Sequence, residues 1–180
     1  MVVFSDVGAI IEHLRTLETT PSVEAEGFTE LDHGLQTAAI LRAANPDDLE
    51  LQVAGLVHDL AHPWDEPGQP MHALWGADAV RPVLGERVAM LVAGHVPAKR
   101  WLVTRDPDYR ALLSEDSIMT LAAQGGDMDA HEIAWFESLA HWEAMVELRR
   151  ADDGAKVVGA IVPGLDDYLD ALERVAAAHS

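Results

Sequence analysis

The sequence predicts an all-α fold that assembles a metal site inside a helical bundle. Apolar residues recur every three or four positions along most of the 180 residues, which is typical of amphipathic helices. Strand-like alternation is scarce, and its short candidate at 156–162 is better interpreted as a loop. Within the apolar stretch 56–62, His58 and Asp59 stand side by side. Burying an imidazole and a carboxylate together is unfavourable unless a partner such as a metal ion compensates both.

The bulk composition is typical of a single globular domain, which we place over residues 1–180. Apolar residues make up 49% of the chain, but they form no run of about 18, so no membrane span is expected. The first residues lack the basic start of a signal peptide, and the chain has no cysteine. We therefore expect a cytoplasmic protein without disulfide bonds.

The charge balance is strongly acidic, with 31 Asp and Glu against 12 Lys and Arg and a net charge of −19. Such a surface repels phosphate backbones, so we expect no nucleic-acid partner. A small anionic substrate is compatible with this charge, but it would need a local pocket made of a metal and a few cations. The acidity itself needs no explanation beyond solubility.

The first part of the chain predicts three helices. The first runs from residue 5 or 6 to 18 and presents apolar side chains on one face. Thr29 is a good N-cap for the second helix, which stops before an Asn-Pro pair. Asp47 caps the third helix, which carries His58 and Asp59.

The rest of the chain continues in helices that proline and glycine separate. A turn-rich loop at 63–70 precedes them. Asp129 and Glu132 form a capping-box pattern, and Gly125 supplies the left-handed end of the helix before it. The predicted helices cover residues 72–81, 88–95, 114–124, a segment starting at 129, a long helix containing 135–149, and a terminal helix from 163 to 172.

Six candidate metal ligands are spread along the chain, so several helices must bring them together: His33, His58, Asp59, His72, His95 and Asp152. Nitrogen and oxygen ligands without cysteine suit iron, manganese or zinc. His58 and Asp59 lie about 100° apart around a helix axis, and a carboxylate has two oxygens, so Asp59 can bridge two ions while His58 binds one. His33 and Asp152 would complete the ligand set of the first ion, and His72 and His95 would bind the second.

The order of His33, His58-Asp59 and Asp152 resembles the signature of the HD-domain superfamily, helical metalloproteins that mostly hydrolyse phosphate esters. The two intervening histidines are similar to those of its mixed-valent di-iron oxygenase group, as are the blocks His95-x-x-x-Lys99-Arg and Arg149-x-x-Asp152. That group includes PhnZ-like phosphonate-cleaving oxygenases and, more distantly, myo-inositol oxygenases. The resemblance spans residues 26–156 and implies an HD-domain helical bundle with a buried dinuclear metal site.

The resemblance also implies which residues surround the substrate. His62 and Lys99 would be catalytic and would hold the phosphonate, with further substrate contacts from Glu26, Ser117, Gln124 and Arg149. An Arg fork and a Lys point charge are suited to phosphonate oxygens. Considered without the resemblance, His62 is a histidine at a helix end, Lys99 and Arg149 are partners of surface ion pairs, and the other three are solvated polar residues.

Three further positions bear on this assignment. Val23 stands where the phosphonate-cleaving enzymes have a tyrosine that can bind one iron until substrate displaces it, and the sequence leaves the effect of this difference open. Asp153 is the alternative to Asp152 as last ligand, although the register with Arg149 favours Asp152. Asp65 is interpreted as a loop residue.

The expected activity is oxidative cleavage of the carbon–phosphorus bond of a small 1-hydroxyphosphonate, giving a carboxylic acid and phosphate. The resemblance implies two iron ions, Fe(II) and Fe(III), with O2 as co-substrate. One alternative is a metal-dependent HD phosphohydrolase that acts on a small phosphate ester or nucleotide, since two metals can also activate water. Another is a metal-stabilised binding or signalling domain. The sequence leaves the oligomeric state and the organic group of the substrate open.

Overall fold

Eight α-helices form the regular structure of the computed structural model, which describes residues 2–22, 25–66, 71–113 and 115–179. They are α1 (Val7–Leu17), α2 (Glu30–Ala44), α3 (Leu49–Val57), α4 (His72–Arg105), α5 (Glu115–Ala123), α6 (Ala130–Glu137), α7 (Trp142–Gly154) and α8 (Leu169–Ala177). The described residues contain no β-strand beyond an isolated bridge between Pro21 and Thr29. The predicted all-α fold is therefore confirmed.

The centre of the bundle is formed by α2, α3, α4 and α7, which pack against one another. Gly34 of α2 lies against the backbone of α3, so closely that a Cβ there would be 2.6 Å from the carbonyl oxygen of Leu56. Gly94 of α4 likewise makes room for Met145 of α7. These close approaches bring together the helices that carry the candidate ligands.

Helix α4 contains a break at Gly85, where φ is 83° and ψ is 175°. The two helices that the sequence predicts here are thus joined into one element of 34 residues with a kink. A side chain at Gly85 would collide with the ring of His179, which packs on it from the end of the chain. Positive φ and this close contact both require glycine.

Capping explains where several helices begin. The side chain of Thr29 accepts a hydrogen bond from the backbone N–H of Asp32, and the carboxylate of Asp32 accepts one from the backbone N–H of Thr29. This reciprocal pair is a capping box. Asp129 and Glu132 form a second capping box at the start of α6. Both predicted caps are confirmed. The third helix differs by one residue, because its cap is Asp48, whose carboxylate accepts from the N–H of Leu51, and not Asp47.

Two predicted helices end earlier than the sequence indicates. α3 stops at Val57, so His58 is its C-cap and Asp59 lies in the following turn rather than on the helix. The predicted long helix over 135–149 is wrong, because the chain breaks between α6 and α7, where His141 has φ of 63°.

No helix in the described part of the chain is both long and apolar enough to cross a bilayer. Val23, Ser114 and residues 67–70 of the predicted loop lie outside the described residues.

Candidate metal centre

The bundle brings all six predicted ligands to one place in its interior. They come from four parts of the fold: His33 from α2, His58 and Asp59 from the turn after α3, His72 and His95 from α4, and Asp152 from α7. Their donor atoms form two groups that could each hold a metal ion, His33 with His58 and Asp152, and Asp59 with His72 and His95, with the atoms of each group within 4.8 Å of one another.

Asp59 joins the two groups through its two oxygens. Its Oδ2 lies 3.5 Å from Nε2 of His33 and 3.4 Å from Nε2 of His58. Its Oδ1 lies 3.5 Å from Nε2 of both His72 and His95. One carboxylate oxygen therefore points to each group, which is the arrangement a bridging ligand needs.

The orientation of the imidazoles favours metal binding. Because a backbone carbonyl can only accept, each Nδ1 that meets one carries the proton, and the Nε2 of a neutral ring is left with a lone pair. Those Nε2 atoms point toward the carboxylates. Three imidazoles donate from Nδ1 to a backbone carbonyl oxygen in this way: His33 to Ala155 at 3.0 Å, His58 to Gly55 at 2.8 Å, and His95 to Val92 at 2.7 Å.

A cation fits this donor set better than hydrogen bonds do. Nε2 of His58 and Oδ1 of Asp59 are buried without a hydrogen-bond partner, which is costly for polar atoms. Nε2 of His33 and Oδ1 of Asp152 are 3.2 Å apart. Two atoms that bind one ion at about 2.1 Å, at ordinary bond angles, lie about 3.0–3.4 Å apart. The spacing around the centre is thus close to that of ligands on a common ion.

Burial and charge set the protonation of the ligands. Burial lowers the pKa of His58, and it lowers the pKa of His95 to about 3, so both rings are in the neutral form that binds metals. Burial opposes charge on His33 too, but its hydrogen bonds with Asp152 and Asp59 outweigh this and raise its pKa to about 10. Binding of a metal ion at His33 therefore displaces a proton.

Five of the six candidate ligands, all but His58, line a small cavity of about 50 Å³ with polar walls. Five of the six predicted substrate contacts also line it: His62, Lys99, Ser117, Gln124 and Arg149. Nζ of Lys99 donates to Oγ1 of Thr120 at 3.0 Å. Lys99 and Arg149 are buried, with exposed fractions of 2% and 4%, so their interpretation as surface ion-pair residues is wrong.

Arg149 is fixed by contacts on both sides of its guanidinium. Its Nη1 lies 2.8 Å from Oδ2 of Asp152, and its Nη2 donates to Oγ of Ser117 at 3.2 Å. It also pairs with Asp153, while its Nε donates to the hydroxyl of Tyr109 at 3.1 Å. Asp152 thus lies in the centre and Asp153 holds the arginine, which agrees with the register argument.

His62 lines the cavity with the other predicted substrate contacts, whereas Glu26 does not. His62 lies in a short 3-10 turn, His62–Trp64, and its Nδ1 is 3.2 Å from Oε1 of Glu30. Burial opposes its charge, but the hydrogen bond with Glu30 raises its pKa to about 9, so the ring is cationic at neutral pH. Glu26 is exposed and is not among the described residues that line the cavity. The buried glutamate that lines it is Glu30.

Two further residues at the cavity were not predicted. Lys156 lines it, with Nζ 4.0 Å from Oδ1 of Asp152, and adds a third cation beside Lys99 and Arg149. Asp65 lies in a loop, as predicted, but it also accepts from Nδ1 of His72 at 2.5 Å, a contact that the sequence does not predict. Lys156 lies just beyond the C-cap of α7, Ala155, so no helical spacing identifies it from the sequence.

No protein-family model matches the chain. The chain is 39% identical over 152 residues to a hydroxymethylphosphonate dioxygenase of Gimesia maris, an alignment that covers 79% of this chain and 75% of the relative. It is 30% identical over 162 residues to a [1-hydroxy-2-(trimethylamino)ethyl]phosphonate dioxygenase (glycine-betaine-forming) of Leisingera caerulea, covering 86% and 82%. The chain belongs to the phosphonate dioxygenase family.

Membership of the phosphonate dioxygenase family confirms that the chain is an oxidoreductase, as the resemblance implies. The chain is also 30% identical over 153 residues to an uncharacterized protein, L432, of Acanthamoeba polyphaga mimivirus, covering 79% of this chain and 69% of that protein. The buried His and Asp groups agree with the use of metal by a dioxygenase of this family. The wider assignment to the HD-domain superfamily stays a prediction.

Proposed function

We propose that this chain uses two iron ions and O2 to cleave the carbon–phosphorus bond of a small 1-hydroxyphosphonate. The observation that carries the proposal is the position of Asp59, whose two oxygens meet two separate ligand groups beside a cavity lined with cations. The reaction balances as hydroxyphosphonate plus O2 giving carboxylic acid plus phosphate. Iron, as Fe(II) and Fe(III), would bind the substrate hydroxyl and mediate the transfer of electrons from the substrate to O2.

The residues of the chain would hold the ions and the substrate. His33, His58 and Asp152 would bind one ion and His72 with His95 the other, with Asp59 shared between them. Two ions that share a carboxylate lie roughly 3.5–4 Å apart, close enough to act on one substrate. We also propose that residues 1–180 form a single domain around this centre.

The cations at the cavity would neutralise the phosphonate and fix its orientation. Lys99, Arg149 and Lys156 line the cavity, and His62 adds a positive charge. Ser117 and Gln124 would add hydrogen bonds to the same oxygens. Holding the phosphonate in this way directs the C–H bond of the hydroxyl-bearing carbon toward the metal ions, and such positioning lowers the barrier of the reaction.

The cavity wall favours a substrate with a very small organic group. Val96 is the one apolar residue among the described residues that line it, and none of them is Phe, Tyr or Trp. A trimethylammonium group is recognised by aromatic faces or a free carboxylate, whereas Glu30 is engaged by His62. We therefore propose hydroxymethylphosphonate, the substrate named for the Gimesia maris relative, rather than the trimethylamino compound named for the other.

The test begins with metal-free protein loaded anaerobically with ferrous iron and ascorbate. After air is admitted, hydroxymethylphosphonate should give oxygen uptake, phosphate and formate in equal amounts, and the trimethylamino compound should react much more slowly. EPR should show a coupled Fe(II)/Fe(III) pair. Release of phosphate from nucleotides or aryl phosphates without oxygen would instead establish the phosphohydrolase.

A further inference from the structure

His72 differs from the other three imidazoles of the candidate centre in what holds its Nδ1. Those three meet neutral backbone carbonyls, whereas Nδ1 of His72 donates to a carboxylate oxygen, Oδ2 of Asp65, at 2.5 Å. The other oxygen of Asp65 accepts from the backbone N–H of Met71 at 2.7 Å. Asp65 is thus clamped at the beginning of α4, and its charge is aimed at one ligand.

An anionic partner changes the ligand more than a carbonyl does. The carboxylate draws the Nδ1 proton, so Nε2 of His72 becomes a stronger electron donor and its ring is held in one orientation. A more basic ligand binds its ion more tightly and stabilises the higher oxidation state. The effect is confined to the group of Asp59, His72 and His95.

The group of Asp59, His72 and His95 has fewer carboxylate ligands, and so less negative charge, than the group of His33, His58 and Asp152. The group of His33 and His58 has Asp152 in addition to a share in Asp59, whereas the His72 and His95 group has Asp59 alone. Asp65 supplies a second negative charge one imidazole away from that ion. This compensates for a missing carboxylate ligand without occupying a coordination position.

From these contacts we propose that Asp65 is a positioning residue, which strengthens metal binding at His72 and favours the more oxidised ion on that side of the pair. This proposal rests on the proposed two-ion centre. Asp65→Asn keeps an oxygen that can accept a hydrogen bond but removes the charge. Asp78→Asn is the matched control, because Asp78 is an exposed acid of α4, the helix that carries His72.

The experiment titrates the metal-free proteins with Co(II) and follows absorption. The parent and Asp78→Asn should bind two ions. Asp65→Asn should bind one of them as the parent does and the other 10–100-fold more weakly, the range typical of losing such a partner. With iron, its Fe(II)/Fe(III) EPR signal should disappear at an ascorbate concentration that the parent withstands, because its ferric ion is less stabilised.

Unchanged titration and EPR in Asp65→Asn would overturn the role of Asp65, even if the parent cleaves phosphonates. If Asp65→Asn binds both Co(II) ions more weakly by the same factor, and its metal-free form melts at a lower temperature, the proposed role is overturned too. Asp65 would then only support the fold. A parent that binds both Co(II) ions but consumes no oxygen would overturn the proposed function, and the titration of Asp65→Asn would still decide the role of Asp65.

Discussion

Lys99 is a cation in the interior of a strongly acidic protein. Its side chain is 2% exposed, and Nζ donates to Thr120 at the wall of the cavity. Burying an ammonium group is costly unless anions compensate, and a bound phosphonate would place negative charge directly beside it. The position of Lys99 at the cavity wall therefore suits the binding of an anionic substrate.

Lys99→Met should reduce turnover without reducing metal content. The substitution keeps most of the side-chain volume but removes one charge-assisted hydrogen bond, worth about 1.5–3 kcal/mol, or roughly a 10- to 150-fold loss in kcat/KM. The control is Arg105→Met, which removes an exposed cation from the same helix. Steady-state oxygen uptake and iron analysis measure both effects. Full activity in Lys99→Met would show that Lys99 does not bind the substrate.

At the scale of residues, sequence reasoning worked where chemistry alone defines a role. Asp59 could be predicted as a bridge because a carboxylate has two oxygens beside a histidine, and the structure directs one oxygen to each group. Glu30 and Asp65 were missed, because nothing in their local sequence shows that folding brings them to His62 and His72. Glu26 was chosen by position in a resembling motif, and the structure places it outside the cavity wall.

Among the elements, the contact between α2 and α3 matters most for the centre. Gly34 follows His33 directly, and Leu56 lies two residues before His58. A Cβ at Gly34 would be 2.6 Å from the carbonyl oxygen of Leu56, which is backbone and cannot move aside alone. Any side chain there must push the two helices apart, and the two histidines with them.

Gly34→Ala should therefore weaken metal binding as well as stability. Overpacking of this kind typically costs about 1–3 kcal/mol. Gly154→Ala is the control, because its Cβ would meet only the flexible end of Ile40, at 3.4 Å. Thermal melting and Co(II) titration of the two variants give the comparison. If Gly34→Ala binds both ions as tightly as Gly154→Ala, the helix contact does not set the ligand spacing.

Element boundaries could be predicted where a cap or glycine marks them, as at Thr29 and Asp129. The break at His141 could not, because a histidine with positive φ is uncommon and no glycine or proline marks the site. His58 and Asp59 leave the helix for a related reason. Their metal-directed positions are set by packing of α2, α4 and α7 around them, which local propensity does not describe.

On the scale of the whole molecule, charge is distributed unevenly. The chain has a net charge of −19, yet three of its 12 lysines and arginines, Lys99, Arg149 and Lys156, line one small cavity. Composition predicts the acidic surface and the need for a local cationic pocket, but it does not show which cations converge. That information is in the packing of α4 against α7. Four carboxylates also line the cavity, so it would attract a dianion once metal ions neutralise the acidic ligands among them.

Removing metal should destabilise the whole fold, since the donors come from α2, α4, α7 and the turn after α3. Ligand present at about 1,000 times its dissociation constant stabilises a protein by about 4 kcal/mol. For a chain of this size, that corresponds to a melting temperature about 8–16 °C lower after chelation. Ferrous iron should restore it. His33→Ala should show a clearly smaller shift with chelator, because only the ion at Asp59, His72 and His95 keeps its ligands, whereas His131→Ala, which changes an exposed histidine, should respond like the parent. An equal shift in His33→Ala would mean that the stabilising ion binds elsewhere, because a site that has lost His33 and its contact with Asp152 could not retain full affinity.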